Sequence, residues 1–154
     1  MPTLAIGSDH AAIRLRRALV EHLRERGFTV TEVGPSEGDK SDYPDQAAVV
    51  ARAVVRGEVE RGILCCGTGI GVSIAANKIA GVRAALVHDP TTARLAAQHN
   101  RANVLCMGGR LLADEYGCEL ADIWLETAFE DRHQRRLDKI TALEGAPDGV
   151  TPEG

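Results

Sequence analysis

Short apolar runs alternate with helical spacings along almost the whole chain. Leu4-Ala5-Ile6-Gly7 predicts a first strand, after which Ala12, Leu15, Leu19 and Leu23 recur at helical intervals until Gly27 stops the helix. Phe28 to Val33 predicts a second strand. The polar stretch Gly34 to Asp42 predicts a loop, and Tyr43-Pro44 the start of a helix reaching Val55 or Arg56. Arg61 to Cys65 predicts a third strand, followed by a glycine turn and an alanine-rich helix that ends near Gly81. Val82 to Val87 is the fourth strand, Asp89-Pro90 opens the next helix, and Asn103 to Met107 is the fifth strand. Leu111 to Glu126 then predicts a long helix, and Arg132 to Leu143 a final, highly charged one.

Repeated strand–helix units with short joints imply a parallel sheet covered on both faces. The expected fold is therefore α/β: a three-layer Rossmann-like arrangement with a five-stranded parallel sheet flanked by helices, plus a C-terminal helix. Residues 1–144 are expected to form a single domain and residues 145–154 a flexible tail. Among 154 residues, 44% hydrophobic and 26% charged content is that of an ordinary globular protein. No apolar run approaches membrane-spanning length, and the N-terminus lacks a basic leader, so a cytoplasmic protein without membrane partners is expected. Cys65, Cys66, Cys106 and Cys118 show no paired CxxC spacing, which argues against a zinc site and a disulfide framework. A net charge of −4 and an aromatic share of 3% leave neither a basic surface nor stacking rings for nucleic acid.

The most informative stretch is Cys66-Gly67-Thr68-Gly69-Ile70-Gly71. Alternate glycines let a backbone approach a ligand closely and turn successive N–H groups toward it, with a thiol on the lip of the turn. A bound carbonyl or enediolate oxygen would be stabilised there. Parallel sheets bind ligands at the carboxyl ends of their strands, so Asp9-His10, Cys66 to Gly71 and Gly108-Gly109-Arg110 should share one rim. His99-Asn100 precedes the fifth strand at the end of a helix, and the pattern alone does not bring it to that rim. Arg132 and Arg136 are four residues apart, a spacing that on one helical face suits a phosphate. The plain alternatives are a packed cysteine, hydrogen-bonded structural histidines, to which His22 and His88 are assigned, and a solvated charged helix face.

Taken together, Gly7-Ser8-Asp9-His10, Asp42-Tyr43-Pro44, Cys66 to Gly71 with Ser73 to Lys78, Gln98-His99-Asn100 with Asn103-Val104-Leu105, and Arg132-His133-Gln134 resemble ribose-5-phosphate isomerase B over about the first 143 residues. The broader ribose/galactose isomerase family also contains galactose-6-phosphate isomerase subunits and isomerases of other aldose phosphates. The resemblance implies aldose–ketose isomerisation through a cis-enediolate, with no metal or organic cofactor. It gives Cys66 the role of base between C1 and C2, His99 that of the ring-opening acid–base group, and Thr68 that of its helper. It further assigns sugar hydroxyls to Asp9 and Asn100, the enediolate oxygen to the backbone of Gly67, Gly69, Ile70 and Gly71, and the phosphate to His10, Arg110, Arg132 and Arg136. Tyr43 is expected to line the pocket.

The same resemblance implies a homodimer or homotetramer with its site at a subunit interface. One branch of the family uses a glutamate in place of the cysteine. That branch has glycine at the cysteine's position and its glutamate where this chain has Val72; here the thiol is present and the glutamate absent, so the cysteine route applies. Arg135 stands beside Arg136 as a second candidate for the phosphate. Two further readings are a non-catalytic sugar-phosphate-binding module and a dinucleotide-binding module with Asp89 as its ribose acid. Against the latter, the loop is G-x-G-x-G rather than G-x-G-x-x-G and follows the third strand.

Overall fold

The computed structural model describes residues 2–145. Five strands, β1 (Thr3–Ser8), β2 (Thr29–Val33), β3 (Arg61–Cys66), β4 (Ala84–Leu86) and β5 (Val104–Gly108), form one parallel sheet in the order β2-β1-β3-β5-β4. The helices are α1 (Ile13–Glu25), α2 (Tyr43–Val55), α3 (Ile70–Ala76), α4 (Pro90–Gln98), α5 (Asp114–Glu126) and α6 (Gln134–Leu143). This is the expected α/β architecture. The expected tail lies outside the described residues, apart from Gly145.

Two cores separate the three layers. On one face Leu15, Leu19 and Leu23 of α1, Ala93 and Ala97 of α4, and Leu120 and Trp124 of α5 pack on Leu4, Ile6, Cys65 and Leu105. On the other, Ala47 and Val50 of α2 and Val72 and Ala76 of α3 pack on Ala5, Leu64, Cys66 and Cys106. Alternation along β3 thus sends Cys65 and Cys66 to opposite faces. Gly62 lets α2 lie close, because a Cβ there would sit 2.6 Å from a Val50 methyl.

Several boundaries differ from those read in the sequence. β3 runs through Cys66, so the thiol belongs to the strand end rather than to the turn. α3 stops at Ala76 instead of continuing toward Gly81. The Asn77 side chain brackets Ala84, donating to its carbonyl at 3.0 Å and accepting its N–H at 2.9 Å, and Asn103 Oδ1 accepts the Arg83 N–H at 2.7 Å. After Ala76 the helix tightens into turns, Lys78 N–H to the Ala75 carbonyl and Ile79 N–H to that of Ala76, both at 3.1 Å, while the asparagine side chains take up backbone next to β4, which is only three residues long. Leu111 to Ala113 are not helical, because the chain first turns tightly at Gly108, whose carbonyl accepts from both Leu111 and Leu112. The charged C-terminal helix is in two pieces: a 3₁₀ turn, Asp131–His133, and then α6, of which Leu137 is the buried residue.

Candidate active site

The rim at the carboxyl ends of β1, β3 and β5 is tied together by backbone. The Gly109 N–H donates to the Cys66 carbonyl at 2.9 Å and the Arg110 N–H to that of Gly67 at 3.0 Å, locking the turn after β5 onto the turn after β3. Gly69 has φ 78°, and a Cβ there would lie 2.8 Å from the Met107 carbonyl carbon and 2.6 Å from a Leu86 methyl. Only glycine fits that place without strain. The Gly69 N–H donates to Cys66 Sγ at 3.2 Å, and Thr68 Oγ1 accepts the Ile70 N–H at 3.2 Å. With α3 only seven residues long, these individual N–H groups, more than a long helix dipole, set the polarity of the turn.

Two side chains roof the glycines. The Tyr43 ring lies over Gly71, where a Cβ would be 2.6 Å from Cε2 and Cζ, and the Arg110 guanidinium lies over Gly67, with Nε 3.2 Å from a Cβ position. Asp9, at the end of β1, is buried and uses Oδ1 to accept the Ala11 N–H at 3.0 Å. Next to it, exposed His10 contacts the Ser41 backbone through Nδ1, at 3.1 Å from the carbonyl oxygen and 3.3 Å from the nitrogen, which pins the Gly34 to Asp42 loop to the rim. Asp9, His10, Tyr43, Cys66, Gly67, Thr68, Gly69, Ile70, Gly71 and Arg110 therefore form one constellation.

A residue with no sequence signal supports it. Arg16 is 3% exposed; it donates to Ser8 Oγ at 2.9 Å, to the Pro35 carbonyl at 2.7 Å and to Glu32 at 3.1 Å. Ser8 in turn donates to the Asp9 carbonyl at 2.9 Å. Arg16 is the one buried arginine of four in a helix of regular period, so the pattern of α1 does not mark it.

His99 and Asn100 are elsewhere. α4 runs antiparallel to the strands, so its C-terminal cap, His99, lies at the amino edge of the sheet, the opposite end from Cys66. There His99 stacks on His133 with ring centroids 4.3 Å apart. Arg136 donates to His133 Nδ1 at 3.0 Å, and Arg132 pairs with Glu130 at 2.7 Å. An arginine can only donate, so Nδ1 of His133 is an acceptor and the ring is neutral. Consistent with this, burial holds His133 below the usual histidine range, and the Arg132, His99 and Arg136 charges add to the effect. Glu130 is held below the usual carboxylate range, first by its bond from Arg132. The anticipated i, i+4 face of Arg132 and Arg136 is broken by the 3₁₀ turn: Arg132 precedes α6 and Arg136 belongs to it. Both still gather around His99 through Glu130, which the motif reading did not single out, and His133, which it quoted without a role. The donor atoms of His99, Glu130 and His133 lie within 4.8 Å of one another, close enough for a metal ion, but Arg132 and Gln98 already occupy Glu130 and the flanking arginines oppose a cation.

Of the two histidines read as hydrogen-bonded structural residues, His22 is so placed, whereas the buried Nε2 of His88 has no hydrogen-bond partner among the described residues. His22 joins α1 to α5 through Asp122 at 2.9 Å. Burial raises the thiols of Cys65 and Cys106 far above their ordinary range and pushes Cys118 up to about 11. Asp89 caps α4, accepting the Thr92 N–H at 2.7 Å.

Comparison with known proteins agrees with this frame. The Ribose/Galactose Isomerase family matches residues 4–140. The chain is 46% identical over 145 residues to ribose-5-phosphate isomerase B of Escherichia coli, covering 94% of this chain and 97% of that one. It is 42% identical to the D-erythrulose-4-phosphate isomerase of Pectobacterium atrosepticum, covering 84% and 86%. The solved structure of ribose-5-phosphate isomerase B from Mycoplasma genitalium with bound ribulose-5-phosphate superposes with a TM-score of 0.88 at 43% identity, covering 94% of this chain and 97% of that one.

Proposed function

Because the chain belongs to the ribose/galactose isomerase family of enzymes, we propose that it interconverts ribose 5-phosphate and ribulose 5-phosphate at a site shared by two copies of the chain. Residues 1–144 act as one isomerase domain. The carboxyl rim of one copy supplies Asp9, His10, Tyr43, Cys66 to Gly71 and Arg110, and the amino edge of the other supplies His99, Asn100, Arg132 and Arg136. One chain alone holds these two groups at opposite edges of its sheet, and association joins them. Exposed apolar residues favour such association: Ile70 and Ile74, one turn apart on α3, with Leu86 beside the rim, and Ile140 and Leu143 on α6.

A sugar phosphate is mostly cyclic, so His99 first gives a proton to the ring oxygen while the anomeric hydroxyl loses one, with Thr68 assisting. Asp9 and Asn100 hold hydroxyls of the opened chain. Cys66 as thiolate takes the proton from C2, the electron pair passes into a C1–C2 double bond, and the former carbonyl oxygen becomes an enediolate held by N–H groups of the Gly67 to Gly71 turn. The C2 hydroxyl proton passes to the C1 oxygen, and return of the proton from Cys66 to C1 then leaves the carbonyl at C2, the ketose. Hydrogen moves within one molecule, so no external oxidant is required. His10, Arg110, Arg132 and Arg136 hold the phosphate, whose binding energy keeps C1 and C2 against the sulfur. The observation that carries this reading is the N–H of Gly69 aimed at Cys66 Sγ, with Tyr43 and Arg110 lying over the same glycines.

The test is a panel of four-, five- and six-carbon aldose phosphates with a chelator present. Ribose 5-phosphate is expected to give the highest kcat/KM, allose 6-phosphate a lower one, and unphosphorylated ribose almost none. The resemblance to an erythrulose-phosphate isomerase supports a second reading, in which the same machinery serves a tetrose phosphate. A clear preference for a four-carbon substrate selects it, and a preference for allose or galactose 6-phosphate overturns both.

A further inference from the structure

At the amino edge of the sheet, a cavity of about 370 Å³ is walled by Arg61, Arg83 and Arg101 together with Asn103, Thr127 and Phe129. Arg61 and Arg83 are half-buried and Arg101 is exposed at the mouth. Arg61 stacks over the Trp124 ring at 5.3 Å and Arg101 over the Phe129 ring at 5.6 Å. Arg83 spends Nε and Nη2 on the carbonyls of Asn100 and Arg101, at 2.9 to 3.2 Å. Among the described residues none of the three forms a salt bridge with a carboxylate. Glu60 is the one acid on the cavity wall, and Glu144 bears on Arg83 only through space. Burial holds Arg61 and Arg83 below the usual arginine range; the Glu60 charge lifts Arg61 part of the way back, and the charge of Arg101 pushes both down.

Three arginines facing one concavity repel one another, and arginine cannot shed its proton to relieve the strain. An anion relieves it. Arg101 also has φ 43°, the only non-glycine residue among those described with a positive φ. It belongs to the turn that ends α4, where the Arg101 N–H bonds the Ala97 carbonyl at 3.2 Å and the Ala102 N–H that of Ala96 at 2.9 Å, which fixes the place of Arg101 on the cavity rim. Planar, fixed guanidinium forks match the oxygens of phosphate. The cavity is of small-ligand size.

We propose that this cavity is a binding site for a phosphate-class oxyanion, gripped by Arg61, Arg83 and Arg101, in addition to the sugar-phosphate site. Because Arg83 holds the carbonyls of Asn100 and Arg101, the bound anion braces the turn that carries His99 and Asn100.

Trp124 is the only tryptophan in the chain and packs under Arg61, so its single indole N–H resonance reports on the cavity. The protein would be titrated with inorganic phosphate, with ribose 5-phosphate, and with chloride at matched ionic strength. The resonance should shift saturably with the phosphates and not with chloride. In Arg101→Asn the midpoint should rise at least tenfold, as expected for a lost charge-assisted contact. Asparagine tolerates a left-handed backbone, so this variant keeps the turn. Arg136→Ala should leave the midpoint unchanged, which separates the cavity from the sugar-phosphate site. Either order of the two phosphates supports the site and tells whether a free or an esterified phosphate fills it. The proposal is overturned if the shift is absent or is matched by chloride, if Arg101→Asn titrates like the parent, or if Arg136→Ala weakens the response as much as Arg101→Asn does.

Discussion

Replacing Gly69 by alanine puts a methyl group where the structure has no room for one. At φ 78° a non-glycine residue costs about 1–2 kcal/mol, of which the stiffer unfolded chain returns roughly 0.4–1. The added Cβ would also meet the Leu86 methyl at 2.6 Å, the Met107 carbonyl carbon at 2.8 Å and the Gly108 nitrogen at 3.1 Å. Leu86 is partly exposed and can swing aside. The other two atoms are backbone of β5, paired to β3, and cannot move without disturbing the sheet. Overpacking of this kind costs about 1–3 kcal/mol, so the expected loss for Gly69→Ala is about 2–4 kcal/mol. Gly57 is the control: its φ is 73°, but nothing lies within 4 Å of its Cβ position. Gly57→Ala should therefore cost only about 1 kcal/mol. Urea unfolding of the parent and both variants at one protein concentration measures the difference. If the two variants lost stability equally, the close contact of this turn with β5 would be refuted. Gly69→Ala should also lose activity while still folded, because shifting the turn moves the N–H that meets Cys66 Sγ.

Cys66→Ala should lower kcat by about 10²- to 10⁴-fold with substrate affinity largely kept, whereas Cys65→Ala should leave kinetics unchanged; the reverse pattern would refute the assignment of the two faces of β3. His99→Asn should slow turnover of the cyclic sugar far more than that of an acyclic analogue, and equal losses would remove His99 from ring opening. Burial and the nearby Arg132, His99 and Arg136 charges lower the histidine value of His133 in the folded state. The unfolded chain therefore binds the proton more readily, and the contribution is complete above the ordinary histidine value and lost as pH falls through the lowered one. Stability measured from about pH 8 down to about pH 5 should fall less steeply in His133→Asn than in the parent, and parallel curves would contradict the neutral, buried state.

The layers and the rim were legible because they depend on local signals. Apolar runs such as Gly62 to Cys65 and glycines after strand ends mark where a parallel sheet begins and stops, and the carboxyl-edge rule then brings Asp9, Cys66 and Arg110 together. Side-chain bonds to distant backbone were not legible. Asn77 and Asn103 bind the backbone of Ala84 and Arg83 at β4, contacts that no periodicity reveals. Arg16, which braces Ser8 and the loop after β2, is one more basic residue on an amphipathic helix until its neighbours are known. The edge reached by His99 follows from topology alone: a helix returning from the carboxyl edge must end at the amino edge. The motif reading grouped His99 with the glycine turn by chemistry, whereas within one chain the fold holds the two at opposite edges of the sheet.

The shared site is tested most directly by complementation. Cys66→Ala and His99→Asn chains, each nearly inactive alone, would be co-expressed with different tags and the mixed species isolated. In an unsorted equal mixture of dimers, half the molecules are mixed, and each mixed dimer has one intact site of two, so about a quarter of the parent activity should return. Isolated mixed dimers should show about half. If mixed dimers form and stay as inactive as the single variants, each site belongs to one chain, and the assignment of His99 and Cys66 to different copies is wrong.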